Sequence, residues 1–247
     1  MRFSLVIRLP AGLNSRTMKA LRFPILSVAA VAALCMTGNL VAGPIVTSAQ
    51  QTGYLQDYHR LGHVGGVPLE QVWINPEFDI RDYRTLYIPV PRIDPQAYYL
   101  RGEKDRQSAV VLANQLHAQL LKDLQGAGIF KFVTSDPYFS LGRHGALTLE
   151  TRITEIDSGN PERRYKIGFG YGATQIQIEG KIIENRTCRT LSEFADRRVN
   201  PGDALWYGRR NSASGTYLMS LDTAGVMRGI VKLFIYLREE GTQANQR

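Results

Sequence analysis

Residues 174–182 read "TQIQIEGKI" and alternate one position at a time. Thr174, Ile176, Ile178 and Ile182 fall on one side, and Gln175, Gln177, Glu179 and Lys181 on the other. A side-chain period of two belongs to a strand. A strand with one apolar and one polar side fits an antiparallel sheet that is covered on one face and wet on the other. The run 188–199 is also extended, and "NRT" at 185–187 supplies a short turn between the two, so a hairpin is expected.

The remaining periods say what covers the apolar face. Between 104 and 126, Ala109, Ala113, Leu116, Leu120 and Leu124 recur at spacings of four and three, the stripe of an amphipathic helix. Residues 218–238 carry a second stripe, Leu221, Ala224, Met227, Val231 and Phe234, widened by Ile230, Leu233 and Leu237. Further strands are expected at 83–93, 129–135 and 146–156. In the first of these, Pro89 and Pro91 lack N–H donors, which argues for an edge strand or one whose later half leaves the ladder. An open edge near Leu86 offers a route to self-association.

The order strand–helix–four strands–helix lacks the regular alternation of a doubly wound sheet. It predicts an α+β two-layer sandwich, a mainly antiparallel sheet with two helices on one face. Residues 50–83 mix Tyr54, Tyr58, Trp73 and Phe78 with Gly and Pro and read as an irregular arm pinned by its aromatics. The expected organisation is a targeting segment at 1–49, the arm at 50–83, one α+β domain at 84–240 and a disordered tail at 241–247.

The first 49 residues carry Arg2, Arg8, Arg16, Lys19 and Arg22 and no acidic residue, and residues 23–43 form an apolar run. A basic head, an apolar stretch and small residues beyond it form an export signal. The small residues Thr47, Ser48 and Ala49 predict cleavage before Gln50, giving a periplasmic protein. The alternative is a retained anchor facing the periplasm, since the run is about long enough to span a bilayer. Of 30 Lys and Arg, 25 remain beyond residue 49 against 22 Asp and Glu, so the net charge falls from +8 to +3. Nucleic-acid binding loses its electrostatic basis at that charge. Cys188 is the one cysteine outside the targeting segment. It is expected as a buried free thiol, the alternative being a bridge between chains.

No catalytic pattern emerges. Gly168, Gly170 and Gly172 alternate with Phe169 and Tyr171, but a dinucleotide fingerprint needs a different spacing and a helix to follow, and here a strand follows. The segment reads as a glycine-loosened bend. Arg163, Arg164, Phe169 and Tyr171 form a candidate interaction loop, which either packs on its own domain or projects towards a partner or membrane surface. His59 and His63 with Asp57 are the candidates for a ligand or metal pocket between arm and sheet, although Gly62, Gly65 and Gly66 disfavour the helix a His pair at this spacing needs. His117 reads as a helix-flank residue and His144 as a turn residue. Arg209 and Arg210 beside Trp206 and Tyr207 read as a solvated loop with an aromatic packed down. No catalytic, cofactor-binding or metal residue is assigned, and no cofactor is expected.

"GYLQDYHRLGHVGG", followed by "WINPEFDIRDYRTLYIPVPRI" and later "ITEIDSGNPERRYKIGFGYGATQIQIEGKIIENRT", resembles a family of bacterial envelope domains of unknown function, found mostly in proteins classed as lipoproteins. The order of strands and helices is also similar to the amino-terminal domain of TolB-type periplasmic proteins. The resemblance implies an exported Gram-negative envelope protein and carries no catalytic residue. Lipoprotein processing would fall at Cys35, but Leu34 stands where a small residue is needed, so the expected form is soluble. The functional expectation is a non-enzymatic binding or assembly protein with an envelope partner or a second copy of itself, touching membrane through an N-terminal anchor or lipid if either is kept. The alternative is a small-ligand or metal binder, or an enzyme, with a pocket between arm and sheet.

Overall fold

The computed structural model describes residues 45–98, 103–140, 143–167, 171–201 and 214–244. All of them fall in one compact unit, Val41–Arg247. Eight strands form a single sheet: β1 (Ile45–Thr47), β2 (Gln71–Ile74), β3 (Thr85–Tyr87), β4 (Arg92–Ile93), β5 (Phe132–Thr134), β6 (Ala146–Asp157), β7 (Thr174–Glu184) and β8 (Thr190–Asn200). The described helices are α1 (Glu103–Gly126), the short α2 (Pro161–Lys166) and α3 (Gly215–Ala244), with four single 3-10 turns. Among the described residues no helix is long and apolar enough to cross a membrane.

The expected hairpin is the centre of the sheet. β6, β7 and β8 pair antiparallel, with Ile153 opposite Ile178 and Gln177 opposite Arg197. Beyond β6 the ladder changes sense: β3 and β4 both pair parallel with β6, and β5 pairs parallel with β3. The sheet is therefore mixed, where a mainly antiparallel one was expected. The cause is α1, which links β4 to β5 as a crossover; a parallel neighbour requires such a connection.

Of the two readings of 83–93, the edge strand is corrected, and the strand whose later half leaves the ladder is the one found. β3 lies between β5 and β6, and Leu86 and Ile88 are fully buried. The chain leaves the ladder at Pro89 and Pro91 and rejoins it as β4. The region near Leu86 is thus no open edge on which a second copy could pair.

Both long helices cover one face. α1 packs on β4, β5 and β6, α3 packs on β7 and β8, and the helices touch each other. Ala109, Ala113, Leu116, Leu120 and Leu124 are buried as their spacing predicts, with Leu112 beside them. α3 is rotated from the expected stripe. Met219, Val226, Ile230, Leu233, Phe234 and Leu237 are buried, whereas Leu221, Ala224, Met227 and Val231 are only half-buried. The displaced face includes Asp222 and Thr223, polar residues that hide it from a hydrophobicity count. α3 runs through Gly241 to Ala244, into the expected tail.

The opposite face is not wet. Residues 49–74 cross it, and β1 and β2 pair in tandem along the outer edge of β8. Glu70 fills the gap between them: its Oε2 accepts from the Arg197 N–H at 3.2 Å and its Oε1 from the Ala49 N–H at 2.8 Å. Leu55, Leu61 and Ala195, with Tyr54, Tyr58 and Trp73 against them, form a second small core under the arm. The arm is therefore partly regular, with its strand at 71–74 integral to the sheet. A cut before Gln50 would remove β1.

Candidate functional site

Among the described residues, chemically able side chains gather in the layer beneath the arm, at the end of the sheet where β6 and β8 finish and β7 begins, and under α3.

Beneath the arm, the polar side of β7 is sealed. Glu179 is fully buried; its carboxylate accepts from the Thr52 hydroxyl at 2.9 Å, Tyr58 OH at 2.8 Å, Thr154 Oγ1 at 3.1 Å and Gln177 Nε2 at 2.5 Å. Gln177 holds the arm through both ends of its amide, donating to Gln50 O at 2.8 Å and accepting from Gln50 N at 2.7 Å. Glu193, also fully buried, accepts from Arg60 at 2.8 Å, and the Arg60 guanidinium stacks 3.6 Å over the Trp73 ring. Arg197 pairs with Glu155 at 2.6 Å and reaches Gln175 at 2.8 Å. Buried carboxylates are tolerable only when so hydrogen-bonded. Burial pushes the Glu70 carboxyl and the Tyr58 and Tyr54 phenols up. Along one margin of this layer a cleft of about 310 Å3 opens between Gln50, Thr52, Asp94, Gln96, Thr154, Glu155 and Gln177.

At the end of the sheet, three elements are tied together. Asp105, in the first turn of α1, accepts from the Ser158 N–H at 3.1 Å, and Ser108 of α1 meets Thr216 of α3 at 3.2 Å. The 159–172 excursion leaves this knot and returns to it. Its neck is closed by Gly159 and Gly172, both at positive φ; a Cβ on Gly159 would lie 2.3 Å from Gly172 O, so no other residue fits. Asn160 caps α2 by accepting from the Arg163 N–H at 2.9 Å. On this end Tyr165, Ile167, Tyr171 and Tyr217 are 47, 51, 59 and 57% exposed. A second exposed apolar group, Phe132, Tyr138 and Phe139, lies on β5 and the turn that follows.

The sequence-predicted residues are divided by these facts. Tyr171 and Arg163 are exposed on the excursion. Arg164 is not: it is fully buried, and its Nη1 donates to Gly172 O at 2.5 Å. It braces the neck, and burial lowers its pKa. Phe169, Cys35 and the segment containing Trp206, Tyr207, Arg209 and Arg210 lie outside the described residues. His59 and His63 are exposed, and Asp57 caps a 3-10 turn by accepting from the His59 N–H; none of the three lines the cleft. Among the described residues no group of three or more His, Cys, Asp or Glu is placed to hold a metal. His117 meets Ile88 O at 3.0 Å and so joins α1 to the chain after β3. Cys188, expected buried, is exposed at φ +57° in the turn between β7 and β8.

A third polar cluster lies under α3 and was not legible beforehand. Asp196 and Arg198 pair at 2.8 Å, and Asn200 donates to Asp222 Oδ1 at 3.1 Å, all buried. Burial pushes the Asp222 carboxyl up to about 6, partly offset by the Asn200 amide and the Arg198 charge.

These features define an α+β domain whose sheet is covered on both faces, with Tyr165, Ile167, Tyr171 and Tyr217 exposed at one end. Residues 81–201 match the family model described as "Domain of unknown function (DUF4410)", a span that runs from just before β3 to the end of β8. No curated protein matches the chain. Among solved structures, the PelC dodecamer from Paraburkholderia phytofirmans is similar at 12% identity, covering 64% of this chain and 93% of its own, with a TM-score of 0.36. Protein XCC0632 from Xanthomonas campestris is similar at 12% identity over 69% and 93%, with a TM-score of 0.38.

Proposed function

We propose that this protein is an exported component of the bacterial cell envelope that works by binding rather than by chemistry, and that its contact surface is the end of the sheet bearing Tyr165, Ile167, Tyr171 and Tyr217. The observation that carries the reading is their joint exposure at one end of the sheet: Tyr165, Ile167 and Tyr171 lie between Gly159 and Gly172, whose positive-φ backbone and the buried Arg164 close the neck, and Tyr217 lies on the first turn of α3. Large exposed apolar groups at one end of a domain mark contact sites. The basic head and apolar run of residues 1–43 support export. A retained anchor keeps β1 in the sheet, as does a cut before Ile45, whereas a cut before Gln50 removes it.

The test is in two parts. A phosphatase fusion after residue 247 reports export, and activity confined to the cytoplasm would refute it. A photo-crosslinking residue at Tyr171 should then capture an envelope component in cells, whereas the same residue at the exposed Arg186 should not. Equal capture at both positions would sink the contact-surface reading.

A second reading is favoured by the cleft beside Thr52, Asp94, Glu155 and Gln177. Its size and polar lining suit a small hydrogen-bonding ligand. Native mass spectrometry of the protein from cells checks it: a bound small molecule lost on Gln177→Leu substitution would favour this reading.

A further inference from the structure

The direction of β1 fixes where the chain enters the domain. β1 runs antiparallel to β8, with Ile45 opposite Val199 and Thr47 opposite Arg197. Ile45 is therefore at the end of the sheet where β8 finishes, beside Asn200. That is the end where β6 finishes at Asp157, β7 begins at Thr174 and α3 begins at Gly215. The 44 residues that precede Ile45 join the domain at the end that exposes Tyr165, Ile167, Tyr171 and Tyr217. Among those residues, 23–43 are an apolar run of 21 without a charge. About 20 such residues span a bilayer as a helix.

We propose that this end of the domain docks on a phospholipid bilayer surface, with Tyr165, Ile167, Tyr171 and Tyr217 at the level of the headgroups. The proposal deepens the contact-surface reading above, and rests on it, by naming the occupant. Three observations favour a bilayer over a protein groove. The chain that could anchor the domain emerges at the same end as the exposed aromatics. Three of the four groups are tyrosines, whose apolar ring and polar tip suit a membrane interface. Cations stand among them: Arg163 is exposed, as is Lys166, which pairs with Glu162. Exposed cations near the surface are drawn to anionic headgroups.

The opposite end of the hairpin has another character. There Arg186 meets His144 at 3.1 Å and Arg189 pairs with Glu77 at 2.9 Å, around the exposed Cys188. β7 has 11 residues, so the two ends are about 35 Å apart at the rise of a strand. A bilayer on which the first end docks end-on therefore lies about 35 Å from the second.

The experiment reads that orientation directly. The full chain with Cys35→Ser is reconstituted into vesicles of phosphatidylethanolamine and phosphatidylglycerol, with or without a nitroxide-labelled phospholipid. An environment-sensitive dye is attached either to the native Cys188 or, in a Cys188→Ser background, to Tyr171→Cys. The dye at position 171 should lose most of its emission to the nitroxide lipid, and the dye at 188 should keep it. Hydrogen exchange on the unsubstituted chain repeats the test: vesicles should slow exchange in 161–167 and 214–219 and leave 184–190 unchanged. Equal quenching at both positions, no quenching at 171, or no slowing in the first two segments overturns the proposal. So does a purified mature chain that begins at or after Ile45 and fails to float with the vesicles. Because the vesicle assay needs neither export nor a cellular partner, its failure leaves the crosslinking result standing, and the reverse also holds.

Discussion

The guanidinium of Arg164 donates to the carbonyl of Gly172 at 2.5 Å, across the neck of the 159–172 excursion. Eight residues of chain separate the two, and the contact holds Tyr171 at the surface while keeping Arg164 out of water. Replacing Arg164 by Met keeps the bulk and removes the donor. Gly172 O keeps its second donor, the Asn160 N–H at 3.0 Å, so what is lost is one hydrogen bond from a charged group, about 1.5–3 kcal/mol. For a domain of about 200 residues that lowers Tm by roughly 2–4 °C per kcal/mol. Calorimetry should show this loss, with faster hydrogen exchange at 158–160. An unchanged melt would mean that the brace is dispensable.

Gly172→Ala attacks the same neck through the backbone. The residue sits at φ +75°, and a Cβ would lie 2.4 Å from Asn160 O. Strain of this type costs of order 1–3 kcal/mol. The variant should melt lower than Gly62→Ala, where a Cβ meets nothing within 4 Å and φ is not positive. Equal melting temperatures would refute the account of the neck.

Glu179→Gln tests the seal beneath the arm. The carboxylate is an acceptor for four donors at once. An amide presents its own N–H groups to some of them, so at least one donor loses its acceptor, at about 1–3 kcal/mol. Amides of 49–61 should exchange faster, while those of α1 stay protected. Uniform acceleration would show instead that the arm and the main core open together.

How much of this was visible beforehand depends on the range of each interaction. The apolar sides of α1 and β7 were legible because Leu116, Leu120 and Leu124, or Ile176 and Ile178, are read within a few residues of one another. The alternation alone makes Gln177 and Glu179 a wet face, because what covers them, Gln50 and Thr52, lies 127 residues away in the chain. The signal that could have been used is the arm's own density of hydrogen-bonding groups among its aromatics. In sequence Arg164 is indistinguishable from the exposed Arg163 beside it; only the Gly172 carbonyl, eight positions on, makes it a brace. The rotation of α3 was hidden by Asp222, a polar residue on the buried face. Pro89 and Pro91 rightly marked a break in pairing, but they could not say that β5 closes the other side of β3.

Asp222 makes the fold pH-dependent with a definite sign. Its carboxyl is raised from an ordinary value near 3.8 to about 6, chiefly by burial. The folded state therefore holds a proton that the unfolded state releases. The stability this contributes is fully present below about 3.8 and is lost as pH rises through about 6, with a total of about 3 kcal/mol. Burial raises Asp196 too, which adds in the same sense. Asp222→Asn removes the ionising group and keeps the shape. It should flatten the fall in urea-unfolding stability between pH 4 and pH 6 and be more stable than the parent at pH 8. A parental pH profile in the variant would rule this out.

Cys188 should react stoichiometrically with a maleimide in the native protein, since it is exposed in the turn between β7 and β8. At φ +57° a side chain is strained, and Gly relieves that strain at an entropic cost of its own. Cys188→Gly should therefore change stability by no more than about 1 kcal/mol, and in the favourable direction. Slow native labelling that speeds up only on unfolding would contradict the exposed position. The last consequence of the turn is practical: because it lies at the opposite end of the hairpin from Tyr171, a probe there leaves the candidate contact surface untouched, so any loss of vesicle or partner binding on labelling Cys188 would place the contact surface elsewhere.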